Sequence, residues 1–349
     1  MALNDKHRLV RISAFMCQYS RLMGDLDSAI PAGERAVAIA GETGDPLLWA
    51  LANSGLGPTC GALGEYRRAV DLLATTVERL PGSLSAESFG TTGLLSVFCR
   101  TYLVCCLAEL GEFGPAVPRA DEAIAIAEGA RHVYSLAFAC YGAGTLRLVK
   151  GEIQQSVALL ERGLDLCRTS TLLLISPLLA SSLGEAYALS GRAAEAVALL
   201  EEANRQALSM RRMGGHPMLV VRLGDAYLRA GRLDDARSCG SRALELARTQ
   251  KERGHEAHAL RLLGEIATSG DARGLEEGSA SYLQAITLAD ELGMRPLRAR
   301  CLLGLGQHHR RAGRRPKAKE ALVTAVETFS AMDIPFWLEA SRAELDRLG

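Results

Sequence analysis

A glycine turn recurs along this chain about every 40 residues, and the same small side chains recur around it. Gly24, Gly64, Gly111, Gly151, Gly191, Gly231 and Gly313 mark the turns. Five residues after each stands Ala29, Ala69, Ala116, Ser156, Ala196, Ala236 or Ala318. Twelve after stands Ala36, Thr76, Ala123, Gly163, Ala203, Ala243 or Ala325, and seven before stands Cys17, Gly57, Val104, Gly144, Gly184, Gly224 or Gly306. Self-similarity at a period between about 20 and 50 residues marks a stacked array, and it fixes the fold before any other signal is weighed.

The spacing says what is stacked. Positions five and twelve after the turn differ by seven, close to two turns of helix, so they share one helix face. Small residues there let a neighbouring helix come close. The position seven before the turn supplies the matching contact on the preceding helix. Each unit is therefore helix A, a tight turn and an antiparallel helix B, with glycine ending helix A because it takes positive φ without a Cβ penalty. Leu183 with Tyr187, and Leu223 with Tyr227, run at i, i+4 and fill the seam between units.

One further unit is irregular. Leu263-Gly264 matches helix A, Gly278 with Ala285 matches helix B, and the turn between them lies around 268–274, near 273. Turns near 24, 64, 111, 151, 191, 231, 273 and 313 then give about eight helix pairs. The interval from Gly64 to Gly111 is longer, and Pro81 to Gly90, rich in Gly and Ser, reads as the inserted loop. The expectation is an all-α, right-handed superhelical solenoid over 1–334, with an amphipathic capping helix over 335–349.

Composition removes several alternatives. Forty basic and forty acidic residues leave no net charge, which gives no support to a nucleic-acid or membrane surface. Leu172 to Leu179, the longest apolar candidate, is broken by Ser176 and Pro177 and is too short to span a bilayer. The first residues carry no signal-peptide pattern. Nine scattered cysteines without CxxC spacing read as small hydrophobes in helix seams and fit a reduced, cytoplasmic protein.

Chemistry is sparse. No phosphate-loop sequence occurs, and Gly142-Ala143-Gly144 and Gly304-Leu305-Gly306 fall inside helix A as packing positions. His255 and His258 are three apart, where a zinc helix needs i, i+4 and a third ligand. His308 and His309 diverge by about 100° on a helix. Glu201-Glu202 and Asp234-Asp235 read as solvated faces near helix N-termini, and the arginines and lysines around Gly313 as solvated charge. No catalytic, cofactor or metal residue is assigned, and the chain reads as a non-enzyme.

One surface remains. Helix A lines the concave face of such a solenoid, and its inward residues lie six and three before the small position and one and four after it. That register selects Phe138, Tyr141 and Leu148 in the fourth unit, Leu178 and Glu185 in the fifth, and Met218, Val221, Asp225 and Leu228 in the sixth. It continues through His258 and Arg261 to Arg300 and Arg310. An apolar middle and a basic C-terminal end suit a peptide with hydrophobic anchors and an acidic flank.

The LGxxY segment before the turn, with alanines five and twelve after it, resembles tetratricopeptide repeats, in a unit lengthened from the common 34 residues. AVAIAGETGDPLL (37–49), YSLAFACYGAG (134–144), ERGHEAHALRLLGEIA (252–267) and AMDIPFWLEASRAEL (331–345) also resemble the C-terminal repeats of bacterial signalling proteins. Those carry a class III adenylate/guanylate cyclase domain followed by an AAA-type, STAND-like ATPase. The longer unit is similar, too, to the repeat domain of maltose-activator-type transcription regulators. This chain has neither cyclase nor ATPase domain, nor a helix-turn-helix reader, so the resemblance carries over no catalytic residue. It implies a sensor or scaffold that binds a protein or peptide, with a cyclase or ATPase domain as one such partner. The alternative is a detached regulatory part of such an enzyme or regulator. Helix A follows Met1 almost at once, without a cap. An uncapped end exposes an apolar face, so the expectation extends to a fragment or to end-on self-association.

Overall fold

The computed structural model describes residues 5–80, 88, 90–269 and 274–348, with the side chains of 274–277 excluded. Seventeen helices and no strand occur among them. They pair as α1 (Lys6–Leu22) with α2 (Leu26–Thr43), α3 (Pro46–Leu63) with α4 (Tyr66–Glu78), α5 (Leu95–Leu110) with α6 (Phe113–Gly129), and α7 (Val133–Val149) with α8 (Ile153–Thr169). Next come α9 (Ser176–Leu189) with α10 (Ala193–Ser209), α11 (His216–Arg229) with α12 (Leu233–Thr249), α13 (Arg253–Ser269) with α14 (Gly274–Leu292), and α15 (Arg295–Arg311) with α16 (Arg315–Ala331). A final helix, α17 (Pro335–Asp346), packs on α16. The extra loop over 81–90 and the turn near 273 fall largely outside the described residues.

The glycines end helix A as the spacing requires. Gly24, Gly64, Gly111, Gly151, Gly191, Gly231 and Gly313 all have φ between 71° and 89°. After most of them the next amide reaches back to the last helical turn, as Glu65 N–H does to Cys60 O at 2.9 Å and Glu152 N–H to Arg147 O at 2.8 Å. The turns from helix B to the next helix A use the same left-handed conformation, but with Arg131, Thr171, Arg211, Lys251 and Asp333 in it, alongside Gly44 and Gly293.

The small positions are where the helices touch. Ala29, Ala69, Ala116, Ser156, Ala196, Ala236 and Ala318 have no exposed surface. Seven before the turn, glycine admits a leucine of helix B. A Cβ on Gly144 would stand 2.5 Å from Leu160 Cγ, one on Gly57 2.7 Å from Leu73 Cγ, and one on Gly306 2.6 Å from Leu322 Cγ. These leucines are themselves wholly buried, so the second, fourth and eighth helix pairs are each locked by a glycine–leucine contact.

The array then closes on itself. The A–B turns of the first four pairs meet the B–A turns four and five pairs further on. Leu22 O accepts the amides of Met213 (3.0 Å) and Gly214 (2.9 Å). Lys251 pairs with Asp27 at 2.6 Å. Gly64 faces Leu292, Gly111 faces Met332 and Pro296, and Gly151 faces Phe336 and Ile334. These contacts hold the inner A helices around a narrow channel.

Candidate functional site: the inner channel

Each A helix packs on the A helices before and after it as well as on its own partner, which forms a continuous inner layer. Cavities lie within that layer, and two are lined by described residues. The first, of about 170 Å³, is lined by Tyr102, Tyr141, Leu178, Met218 and Arg222 among others. The second, of about 310 Å³, is lined by Asp225, Leu228, Glu265, Arg300 and Gln307 among others.

An aromatic cluster adjoins the first cavity. Phe138 stacks on Phe98 at 5.2 Å between ring centroids and on Tyr141 at 5.9 Å, while Tyr102 meets Phe98 at 4.8 Å and Phe138 at 5.4 Å. Tyr134 closes the group at 6.5 Å from Phe138. Aromatic residues make up only 5% of the chain, so gathering five on neighbouring turns of α5 and α7 concentrates its stacking surface at one place.

An ionic layer separates the cavities. Arg222 donates Nε–H to Glu185 at 2.8 Å and a guanidinium N–H to Ser181 and Ser182, each at 3.0 Å. Arg300 reaches the other oxygen of Glu185 at 3.3 Å. Arg261 bridges Asp225 (2.6 Å) and Glu265 (2.5 Å). Burial alone would raise Glu185, but Arg222 and Arg300 outweigh it and hold the carboxyl at about 2. His258 faces Glu109 at 3.5 Å, and burial pushes its imidazole below the ordinary value.

The register residues therefore have distinct fates. Tyr141, Leu178 and Met218 line the first cavity, and Asp225, Leu228 and Arg300 line the second. Glu185 and Arg261 belong to the ionic layer, with His258 buried nearby. Phe138 and Leu148 are buried in the core, and Val221 has no exposed surface. Arg310 pairs with Glu344 of α17 at 2.9 Å and anchors the last helix. Of the basic residues on the register, Arg261, Arg300 and Arg310 thus each pair with an internal carboxylate.

The first cavity is also lined by residues outside the inward register named above, among them Arg21, Tyr102, Arg212 and Arg222. Arg21 lies four after Cys17, on the inward register of the first pair, so extending that register to the N-terminal pairs finds it. Arg212 belongs to a B–A turn and lies outside any helical register.

Burial pushes the thiols of Cys105 and Cys301 up to about 12, so neither forms a thiolate at neutral pH. Among the described residues no group of His, Cys, Asp and Glu is arranged to hold a metal ion, and no described helix is long and apolar enough to cross a membrane.

The architecture is that of a tetratricopeptide-repeat-like solenoid. No protein-family model matches the sequence and no curated relative does, but solved structures share the fold. A Rap protein complexed with the competence and sporulation factor superposes with a TM-score of 0.64 at 12% identity, over 98% of each chain. The Rap conjugation gene regulator of plasmid pLS20, in complex with the Phr* peptide, gives 0.59 at 11%, over 98% of this chain and 96% of that one. A STAND signal-transduction ATPase with a tetratricopeptide-repeat sensor, from Pyrococcus horikoshii, gives 0.52 at 14%, over 99% of this chain and 50% of that one. At these identities the likeness is one of fold.

Proposed function

We propose that this chain is a non-catalytic interaction scaffold, a cytoplasmic sensor module of a bacterial signalling protein that binds a peptide or protein segment along its inner channel. The observation that carries the reading is the convergence of Tyr102, Tyr141, Leu178 and Met218 from four successive A helices on one cavity. Apolar anchors set beside a fixed ionic layer suit a segment that buries one or two hydrophobic side chains and orders itself against polar groups. One structure of the same fold holds a peptide, which supports the reading. The channel is closed by the contact of Leu22 with Met213 and Gly214, so binding shifts an open–closed equilibrium by its differential affinity for the two states.

A second reading makes the chain the regulatory part of a nucleotide cyclase, ATPase or transcription regulator. The STAND structure, of which this fold matches half, favours it. The test is capture from the native cytoplasm with the purified chain as bait, beside assays of cyclic-nucleotide formation and ATP hydrolysis. A specific partner without turnover is the expected result, and a cyclase or ATPase domain as that partner selects the second reading. Turnover that survives repurification contradicts both.

A further inference from the structure

Among the described residues, the buried arginines of the inner channel sit on carboxylates except at one place. Arg222, Arg261 and Arg300 each sit on an acidic side chain. Arg21 and Arg212 do not. Both line the first cavity, at only 9% and 7% exposure, and the Nε of each is buried without an acceptor. Among the described residues neither guanidinium makes a hydrogen bond or an ion pair, and Arg21 only lies over the Tyr102 ring at 5.2 Å.

The carboxylates nearest to hand are engaged elsewhere. Glu109 faces His258. Glu252 accepts the Gly215 amide at 2.9 Å and meets His255 Nδ1 at 2.6 Å. Burial, with the charge of Arg21 adding to it, pushes Arg212 below the usual guanidinium range. An uncompensated buried charge is strongly destabilising, which is why buried charges in folded proteins are paired. Two of them in one cavity make it a place suited to an anion.

The rest of the cavity says what the anion is attached to. A guanidinium fork matches a carboxylate, which accepts two parallel N–H groups. The other walls include Tyr102, Tyr141, Leu178 and Met218, which pack against apolar or aromatic surface and offer little to a bare, strongly hydrated ion. A volume of about 170 Å³ suits a body near the size of one amino-acid residue.

We propose that this cavity binds a carboxylate carried on a small apolar or aromatic body, either a free organic acid or the C-terminal residue of a peptide, with the carboxylate held between Arg21 and Arg212. The proposal rests on the reading of the channel as a binding site and names its ligand chemistry. Position adds a consequence. Arg21 stands in the last turn of α1 and Arg212 in the turn before α11, on the two sides of the seam where Leu22 O accepts the Met213 and Gly214 amides. A carboxylate between them fastens that seam, and without it two like charges oppose closure.

The test is thermal unfolding of the full chain with N-acetylphenylalanine, its carboxamide, inorganic phosphate, and an acetylated pentapeptide of four glycines ending in a free phenylalanine. Hydrogen exchange at Met213 and Gly214 is followed in parallel. A free carboxylate should raise Tm and slow exchange at both amides, and the carboxamide should do neither. Arg212→Met should raise Tm without ligand, because it removes an unpaired charge, and should abolish the carboxylate response. Stronger binding of the pentapeptide than of N-acetylphenylalanine assigns the ligand to a peptide end, and the reverse order assigns it to a free acid. No shift with either acid, equal shifts with acid and amide, a shift with phosphate alone, or an intact response in Arg212→Met would each overturn the proposal. If that variant does not fold, Arg21→Met and the acid–amide contrast on the unaltered chain still decide. Loss of this response with partner capture intact sinks the carboxylate site and leaves the scaffold reading standing.

Discussion

Gly214 donates its amide to the carbonyl oxygen of Leu22 at 2.9 Å, which joins the turn after the fifth helix pair to the end of the first helix. A Cβ on Gly214 would collide with the neighbouring carbonyl oxygen of Arg21. Gly214→Ala should therefore part the seam while each helix pair stays intact. Small-angle scattering should report a larger radius of gyration with unchanged helical circular dichroism. An unchanged radius would mean that the closure does not depend on this contact.

The glycine–leucine locks make a comparison between two kinds of glycine. Gly144→Ala places a methyl 2.5 Å from Leu160 Cγ in a packed seam and should cost about 1–3 kcal/mol by overpacking. Gly191→Ala meets nothing within 4 Å, but its φ is 84°, so its cost of about 1–2 kcal/mol comes from the backbone alone. Ala196→Leu, at a wholly buried seam position, belongs with Gly144. Urea unfolding measures all three, and unchanged stability in Ala196→Leu would contradict the packing.

Thr171 is a β-branched residue held at φ 55° on the exposed turn after α8. Replacing it by glycine relieves a left-handed strain of about 1–2 kcal/mol, offset in part by the entropy glycine adds to the unfolded chain. Thr171→Gly should be more stable by roughly 0.5–1 kcal/mol. A loss of stability would show that the Thr171 side chain contributes more than its backbone costs.

Acid should weaken the fold in two windows. Burial holds His258 and His216 below the ordinary value of 6.5. The unfolded chain therefore takes up protons first, and stability falls as pH drops below about 6.5. Glu185, at about 2 against an ordinary 4.5, contributes stability that is full above 4.5 and lost as pH falls from there toward 2. Glu185→Gln should flatten the lower window when Tm is followed against pH. Glu185→Ala, which strands Arg222 and Arg300, should cost about 3–5 kcal/mol at neutral pH. A lower window unchanged in Glu185→Gln would place the acid sensitivity elsewhere.

The repeat was legible because helix A ends on a residue whose conformation only glycine takes freely, and because the seam leaves room for little more than a methyl at Ala196 or Ala236. The opposite turns were not legible, since Arg131, Thr171, Arg211, Lys251 and Asp333 take left-handed φ without a glycine to announce it. Closure was hidden for a different reason. A repeat pattern reports contacts between neighbouring pairs, and the contact of Leu22 with Gly214 spans four of them. The inward register placed Tyr141, Leu178 and Met218 on one cavity. It gave no sign that Glu185, Asp225 and Glu265 neutralise the arginines beside them, because spacing along one helix does not say which side chains meet across the channel.

The most direct test of the channel as a binding surface is titration calorimetry of a captured partner onto the unaltered chain and onto Tyr141→Ala with Met218→Ala. At least a tenfold loss of affinity, about 1.4 kcal/mol, is expected in the double variant, with helicity unchanged. Equal affinity for the two proteins would contradict a binding role for the channel.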